Sequence, residues 1–202
     1  MRKYRIIGLT GPTGSGKSIA ADIFRQLGFS VVNADELSRK SLRKGSVTLR
    51  ILQAIFGNDI ADSSGEPNRQ LIAQRAFSSK ENTKILNAVT HSQIYMLAMA
   101  EFKALTDSGA ENIVFDAPTL LDGNGQFVCD YVVTVLADRN ERLQRIIQRD
   151  GISRRQANER LEAQHSDEFY ISASDFVIYN NSDFTELKNQ IESFLGGIDF
   201  AE

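Results

Sequence analysis

The spacing of apolar and polar residues along the chain predicts strands that alternate with helices. Short apolar runs bounded by turn residues predict five strands, at residues 5–9, 29–32, 113–115, 131–136 and 176–179. Between these runs, apolar residues recur three and four positions apart, which is the spacing of one helix face. Strands separated by helices are typical of an α/β fold, in which helices cover both faces of a parallel sheet.

The predicted helices are unevenly distributed along the chain. They are expected at residues 17–27, 46–57, 71–77, 82–105, 139–149, 153–164 and 184–195, with Gly28 as the C-cap of the first. Residues 33–112 contain no strand pattern, which is too long a stretch for a simple crossover. We therefore predict one domain of residues 1–202, with a core of 1–35, 110–138 and 174–202. A helical insertion at 36–109 and a helical lid at 139–173 complete it.

Composition and charge exclude several classes of protein. The chain has 202 residues, 42% of them hydrophobic, and a net charge of −3, so it is neither disordered nor a strongly basic nucleic-acid binder. Its single cysteine, Cys129, excludes an intrachain disulfide and suits the cytoplasm. No apolar run approaches a membrane span, and the N-terminus does not read as a signal peptide. Nothing in the sequence predicts an oligomeric state.

A glycine-rich motif after the first strand carries the strongest chemical signal. It fits G-x-x-x-x-G-K-[ST] and comprises Gly11, Pro12, Thr13, Gly14, Ser15, Gly16, Lys17 and Ser18. Such a loop directs backbone N–H groups at a phosphate, and the next helix presents its positive end to the anion. Lys17 is expected to reach the β- and γ-phosphates of a nucleotide, and Ser18 to bind Mg²⁺. The alternative is a glycine-rich turn that matches the motif by chance.

Two acidic residues follow strands at the edge where ligands of open parallel sheets bind. Asp116 ends the strand at residues 113–115 and is expected near Mg²⁺. Asp35 follows the strand at residues 29–32. It is placed either to accept the proton of an attacking hydroxyl, or to hold the metal through water. A helix N-cap before Glu36 is an equally good interpretation of Asp35, and the two roles are compatible.

Three arginines share one face of the helix at residues 139–149. Arg142, Arg145 and Arg149 are spaced so that they lie on the same side. A mobile lid with such a face can grip and neutralise a transferring phosphate. The alternative is a solvated face paired with Glu141 and Asp150. The histidines, His91 and His165, lack partners at metal-ligand spacing, so no zinc site is predicted.

Several motifs occur in a fixed order along the chain. They are Gly8-Leu9-Thr10-Gly11 with the phosphate loop, Asn33-Ala34-Asp35-x-x-x-Arg39, Phe56-Gly57, His91-x-x-Ile94, Asp116-Ala117-Pro118, Gln148-Arg149-Asp150, Ala163-Gln164 and Asp175-x-Val177-Ile178-x-Asn180. In this order the sequence resembles the dephospho-CoA kinase family over nearly its whole length. The phosphate loop alone indicates only a nucleoside triphosphate, whereas the ordered set is far more specific.

The resemblance implies an activity and a set of site residues. Members of the family transfer the γ-phosphate of ATP to the ribose 3′-hydroxyl of dephospho-CoA, the final step of CoA biosynthesis. The resemblance assigns catalysis to Asp35, Lys17, Arg145 and Arg149. It assigns ATP binding to the loop residues Gly11 to Ser18 together with Ile19, Arg149 and Asn180, the last near the adenine. The acceptor would contact Asp35, Arg39, His91 and Asp116, and the inserted helices would bind the CoA portion.

The sequence departs from the family pattern at a few positions. Asn33 replaces the first Asp of Asp-Ala-Asp. The amide keeps the hydrogen-bonding shape of the carboxylate but lacks its charge, which weakens the case for metal coordination at that position. Ser92 replaces a proline, and a lid arginine expected near residues 169–170 is absent. The nearest alternative is a P-loop kinase for a nucleoside or sugar, which shares every phosphate-handling residue; the inserted helices and Asp35-x-x-x-Arg39 discriminate between the two. A nucleotide sensor or GTPase is the other alternative, although the guanine motif Asn-Lys-x-Asp is missing.

Overall fold

The computed structural model describes residues 4–123 and 125–198, and it alternates strands with helices. The strands are β1 Arg5–Thr10, β2 Ser30–Asn33, β3 Asn112–Asp116, β4 Tyr131–Leu136 and β5 Phe176–Tyr179. The helices are α1 Lys17–Gln26, α2 Ala34–Ser41, α3 Val47–Phe56, α4 Arg69–Ala76, α5 Lys80–Asp107, α6 Arg139–Asp150, α7 Arg154–Glu162, α8 Asp167–Ser172 and α9 Phe184–Gly197. Short 3₁₀ turns lie at Asn58–Ile60, Leu120–Asp122 and Gly125–Val128.

The strands form one sheet in the order β2-β3-β1-β4-β5. Strand β1 pairs in parallel with both β3 and β4, and β4 pairs in parallel with β5. Leu9 stands opposite Asp116, and Thr10 opposite Thr134, so the carboxyl ends of these strands meet at one edge. The prediction of a parallel five-stranded α/β sheet is confirmed, and its central strand is the one that leads into the phosphate loop.

Alternation along the strands places helices on both faces of the sheet. On one face, the buried side chains of the strands pack with those of α1 and α9 into a single core; among them are Ile7, Leu9, Val114, Val133, Ile178, Phe24, Ile191 and Phe194. On the other face, the hydroxyls of Thr134 on β4 and Ser174 after α8 lie 2.6 Å apart. A Cβ at Gly8 would meet Leu120 at 2.6 Å, so β1 is closely covered there.

The chain divides into two compact units. One contains the described residues up to Val32 and those from Leu105 onward, and it holds the sheet from β1 to β5 apart from the last residue of β2. The other, Asn33–Ala104, is helical and has its own core, formed by Leu49, Leu52, Phe56, Ile60, Ile72 and Ala76. The predicted division into core, acceptor-binding insertion and lid stays a prediction. Within the described part of the chain, no helix combines the length and apolar character needed to cross a bilayer.

Two short helices, α2 and α8, were not predicted from the apolar pattern. Helix α2 is largely polar and α8 has only six residues, so periodicity gives little signal, and capping side chains fix where they begin. The Asn33 side chain accepts a hydrogen bond from the Glu36 N–H at 3.1 Å and caps α2. Ser166 caps α8 in the same way. The interpretation of Asp35 as the N-cap is therefore wrong, since Asn33 fills that position.

The packing of α9 on the sheet predicts the stability of one core variant. Ile191 is fully buried among strand residues, so Ile191→Ala removes apolar contacts and leaves a cavity. We expect the free energy of unfolding to fall by about 2–5 kcal/mol, measured by chemical denaturation. Glu192→Ala, on the exposed side of the same helix, is the control and should change it by less than about 0.5 kcal/mol. Equal effects of the two variants would contradict this packing.

Candidate active site

The phosphate loop joins β1 to α1, and its backbone leaves no room for a side chain at Gly11 or Gly16. Gly11 and Gly16 have φ angles of 147° and 93°, which L-residues rarely adopt. A Cβ on Gly11 would lie 2.3 Å from the carbonyl oxygen of Val135 on β4. A Cβ on Gly16 would lie 1.9 Å from the side-chain nitrogen of Asn180. The glycines of the motif are therefore required by close contacts with β4 and with the residue after β5.

Backbone N–H groups of the loop are left without acceptors. The N–H groups of Gly14, Gly16, Lys17 and Ser18 donate no hydrogen bond within the described part of the chain. The buried hydroxyl of Ser15 also lacks a partner among these residues. Two of the N–H groups belong to the first turn of α1, whose free donors carry the positive end of the helix dipole. Unpaired donors in a buried glycine loop form a cradle for an anion such as a phosphate.

The carbonyl groups of the loop are held by side chains from outside it. The amide nitrogen of Asn180 donates to the carbonyl oxygen of Ser15 at 2.8 Å. The Arg145 guanidinium lies 3.3 Å from the carbonyl oxygen of Gly14 and 3.4 Å from that of Ser15, and it donates to the Asn180 carbonyl at 2.9 Å. Because a peptide group is planar, holding its oxygen outward directs the next N–H into the loop. Asn180 and Arg145 thereby support the cradle.

Lys17 and Asp116 form a buried ion pair beside the loop. The Lys17 ammonium contacts the carboxylate of Asp116, and the two side chains are 13% and 3% exposed. Asp116 stands at the end of β3, next to β1, where a parallel sheet places ligands. The strand pairing thus brings Asp116 into contact with the lysine of the phosphate loop. Direct roles of either residue with a nucleotide or metal stay predictions.

The three arginines of α6 have different environments. Arg142 is 7% exposed and pairs with Asp167 at 3.0 Å, while its Nε has no partner among the described residues. Arg145 is engaged with the loop, as described above. Arg149 is 61% exposed and forms two hydrogen bonds with Asp150, at 2.7 and 2.9 Å. The solvated-face interpretation therefore fits Arg149, which pairs with Asp150, and in part Arg145, which also lies 3.9 Å from Glu141, but not the buried Arg142.

Asp150 is held between two arginines at the junction of α6 and α7. Hydrogen bonding from Arg149, reinforced by the charge of Arg160, holds the pKa of this carboxyl below its usual value. The same contact raises the pKa of the Arg149 guanidinium. Arg149 is thus paired with its neighbour Asp150 in this structure. Its role as a lid residue that contacts phosphate stays a prediction.

The remaining predicted site residues lie on three helices. Ser18 and Ile19 belong to the first turn of α1, and their side chains are exposed. Asp35 and Arg39 are exposed, four residues apart on α2, and therefore share a face of that helix. His91 is partly buried on α5. Asp35, Arg39 and His91 belong to the helical unit, whereas the phosphate loop and its supporting residues belong to the sheet unit.

One contact of the loop was not predicted from sequence. The side-chain oxygen of Gln164, just after α7, accepts a hydrogen bond from the Thr13 N–H at 2.9 Å. Gln164 entered the sequence analysis only as part of the Ala163-Gln164 motif, without a role. The two residues are 151 positions apart, so no local pattern could pair them.

The described residues contain no group of three or more His, Cys, Asp or Glu that could hold a metal ion. The features at the ends of the strands are those of a phosphate site. They are a central strand, a glycine loop with free N–H groups, and a Lys–Asp pair. The fold and this site are those of P-loop proteins that bind nucleotides.

Comparisons with known proteins narrow the class to one family. The family model of dephospho-CoA kinases matches residues 5–186. A dephospho-CoA kinase of Syntrophotalea carbinolica is 35% identical over 190 residues, which cover 94% of this chain and 90% of that protein. The chain belongs to the dephospho-CoA kinase family.

Solved structures agree with the fold. A crystal structure from Thermus thermophilus has 28% sequence identity and a TM-score of 0.82, covering 96% of this chain and 98% of its own. A dephospho-CoA kinase from Campylobacter jejuni, at 23% identity, has a TM-score of 0.61 and covers 96% of this chain and 97% of its own. At 23% identity, the similarity to the Campylobacter jejuni structure shows a shared fold alone.

The support of the cradle by Asn180 is open to test. Asn180→Ala removes the donor to Ser15 and leaves a buried carbonyl without a partner. We expect ATP to bind at least roughly fivefold more weakly by calorimetry, because an unsatisfied buried acceptor costs about 1–3 kcal/mol. Asn140→Ala, at an exposed position of α6, is the control and should bind ATP as the unaltered chain does. Equal affinity in both variants would show that Asn180 does not support the loop.

Proposed function

We propose that the chain transfers the γ-phosphoryl group of ATP to the ribose 3′-hydroxyl of dephospho-CoA. The products are CoA and ADP, and the reaction is the final step of CoA biosynthesis. The observation that carries this proposal is the phosphate cradle at the end of β1, with free N–H groups at Gly14, Gly16, Lys17 and Ser18, in a chain of the dephospho-CoA kinase family. A cytoplasmic location stays a prediction.

Nucleotide binding is assigned to the loop and the residues beside it. The free N–H groups of the loop bind the β-phosphate, and Lys17 moves from Asp116 to the β- and γ-phosphates. Exchange of one anionic partner for another keeps the Lys17 charge neutralised throughout. Arg149, released from Asp150, would approach the γ-phosphate from the lid, and Arg145 would act close to the loop carbonyls it already contacts. These charges offset the charge that develops during transfer.

The oxygen donors present fit Mg²⁺. The Ser18 hydroxyl is exposed at the first turn of α1, beside the free N–H groups of the cradle. Mg²⁺ keeps several waters and needs only one or two protein ligands besides phosphate oxygens, so a single hydroxyl suffices. When bound, the ion would neutralise the β- and γ-phosphate oxygens. We assign Ser18 as its ligand from the chain.

Asp35 is assigned as the general base. Its carboxylate follows the carboxyl end of β2, in the first turn of α2. It takes the proton of the ribose 3′-hydroxyl while that oxygen forms a bond to the γ-phosphorus. The bond from the γ-phosphorus to the bridging oxygen breaks, and ADP leaves. Arg39, on the same face of α2 as Asp35, and His91 and Asp116 are assigned to hold the acceptor.

The acceptor itself decides between this proposal and another P-loop kinase. We expect ADP release from Mg-ATP to depend strongly on dephospho-CoA, with the product phosphorylated at the ribose 3′-hydroxyl. The measurement is a coupled ADP assay with and without dephospho-CoA, and the product is located by ³¹P NMR. Nucleosides and sugars serve as control acceptors. ADP release that favours one of these, or that ignores every acceptor, would contradict the proposal.

Loss of the base should separate turnover from binding. Asp35→Asn keeps the shape of the side chain but cannot take a proton, so kcat should fall by about 10²-fold or more while ATP affinity is unchanged. Steady-state kinetics and calorimetry give the two quantities. Glu36→Gln, at the next and equally exposed position, is the control and should retain its kcat. An Asp35→Asn enzyme with near-normal kcat would exclude Asp35 as the base. Lys17→Ala, in contrast, should weaken ATP binding as well as turnover.

A further inference from the structure

The turn between α7 and α8 contacts the phosphate loop through one side chain. Helix α7 ends at Glu162, α8 begins at Asp167, and Gln164 lies between them. Its side-chain oxygen accepts the Thr13 N–H at 2.9 Å. Gln164 is partly buried and is not among the residues assigned above to nucleotide or acceptor binding. The motif that contains it therefore has no function in the mechanism so far.

Two further contacts fix the same turn. The ring nitrogen Nε2 of His165 lies 2.7 Å from a carboxylate oxygen of Asp122, and the ring stacks on Phe169 with centroids 4.0 Å apart. Asp167, three residues after Gln164, pairs with the buried guanidinium of Arg142 on α6 at 3.0 Å. The turn is thus attached to the loop, to the segment after β3 and to α6. Three attachments within four residues leave Gln164 little freedom to move relative to the loop.

The contact falls at the point where the loop changes role. Thr13 precedes the free N–H groups of the cradle, which begin at Gly14. A Cβ on Gly14 would meet the carbonyl oxygen of Arg142 at 2.8 Å, so α6 packs directly against the loop there. Gln164 holds the N–H of Thr13, and the backbone of Arg142 packs against the next residue, Gly14. A change at Thr13 would alter the direction of the Gly14 N–H, because consecutive peptide planes share one Cα atom.

We infer that Gln164 is a positioning residue for phosphoryl transfer. By holding the Thr13 peptide, it orients the start of the cradle, and it links the position of the lid helices to the shape of the loop. The catalytic consequence rests on the proposed kinase function, whereas the contact between Gln164 and Thr13 is independent of it. Loss of the Gln164 side-chain oxygen should lower kcat more than it lowers ATP affinity. The four free N–H groups remain in place, and only their alignment is relaxed.

Three variants test the role in catalysis. Gln164→Met keeps the length of the side chain but has no oxygen, and we expect kcat to fall about 10-fold with the KM for ATP changed by less than about twofold. Gln164→Glu restores an acceptor oxygen at the same distance, so kcat at saturating ATP should return to within about threefold of the unaltered chain. Gln144→Met makes the same exchange at an exposed position of α6 and should have no effect. A Gln164→Met enzyme with unaltered kcat, or a Glu variant no better than Met, would overturn the inference.

Hydrogen exchange tests the contact without any acceptor substrate. Amide exchange of Thr13, followed by NMR in the ligand-free chain, should be at least about 10-fold faster in Gln164→Met and unchanged in Gln144→Met. Unchanged exchange at Thr13 in Gln164→Met would overturn the inference, whatever the enzyme phosphorylates. A chain that shows the faster exchange but no turnover with dephospho-CoA would instead contradict the proposed function and leave the contact established.

Discussion

The structure depends on the backbone of one short loop, in which N–H groups point inward and carbonyl groups are held outward. Few side chains could replace this arrangement, because an anion bound by backbone N–H groups needs donors in a fixed geometry. Within itself the loop forms a hydrogen bond from the Ser15 N–H to the Pro12 carbonyl, at 3.2 Å. Its carbonyl groups are held by Asn180 and Arg145, and its Thr13 N–H is held by Gln164. The cradle is thus shaped by residues remote in sequence.

The parallel sheet brings these supports together. Strand β1 is central, β3 and β4 pair with it, and each delivers a group to the same edge. Strand β3 ends in Asp116, which pairs with Lys17, and β4 supplies the Val135 carbonyl that requires glycine at position 11. Strand β5 leads directly into Asn180. Burial of the apolar strand faces against α1 and α9 holds this register, so the geometry of the site follows from the packing of the core.

Charges around the loop are paired with one another in this structure. Lys17 is neutralised by Asp116, Arg142 by Asp167 and Arg149 by Asp150. Pairing of this kind avoids buried or clustered like charges before a nucleotide binds. The buried pair Arg142–Asp167 differs from the exposed pair Arg149–Asp150, since only the latter can separate at little desolvation cost.

Local sequence determined much of this protein. The apolar runs predicted all five strands and the long helices, and the motif from Gly11 to Ser18 predicted the phosphate loop between β1 and α1. These features are short-range, since periodicity and glycine spacing act within a few residues. The short helices α2 and α8 were missed because their caps, Asn33 and Ser166, give only a weak signal.

Tertiary structure decided which residues support the site. Spacing placed Arg142, Arg145 and Arg149 on one helix face, but only packing distinguishes the buried Arg142 from the exposed Arg149. The contact between Thr13 and Gln164 joins residues 151 positions apart. Such a contact arises from strand order, strand register and the turn after α7 acting together. The sequence by itself determined the strands, the long helices and the phosphate-binding motif, whereas the folded chain alone determined which residues support that motif, because long-range contacts leave no local pattern.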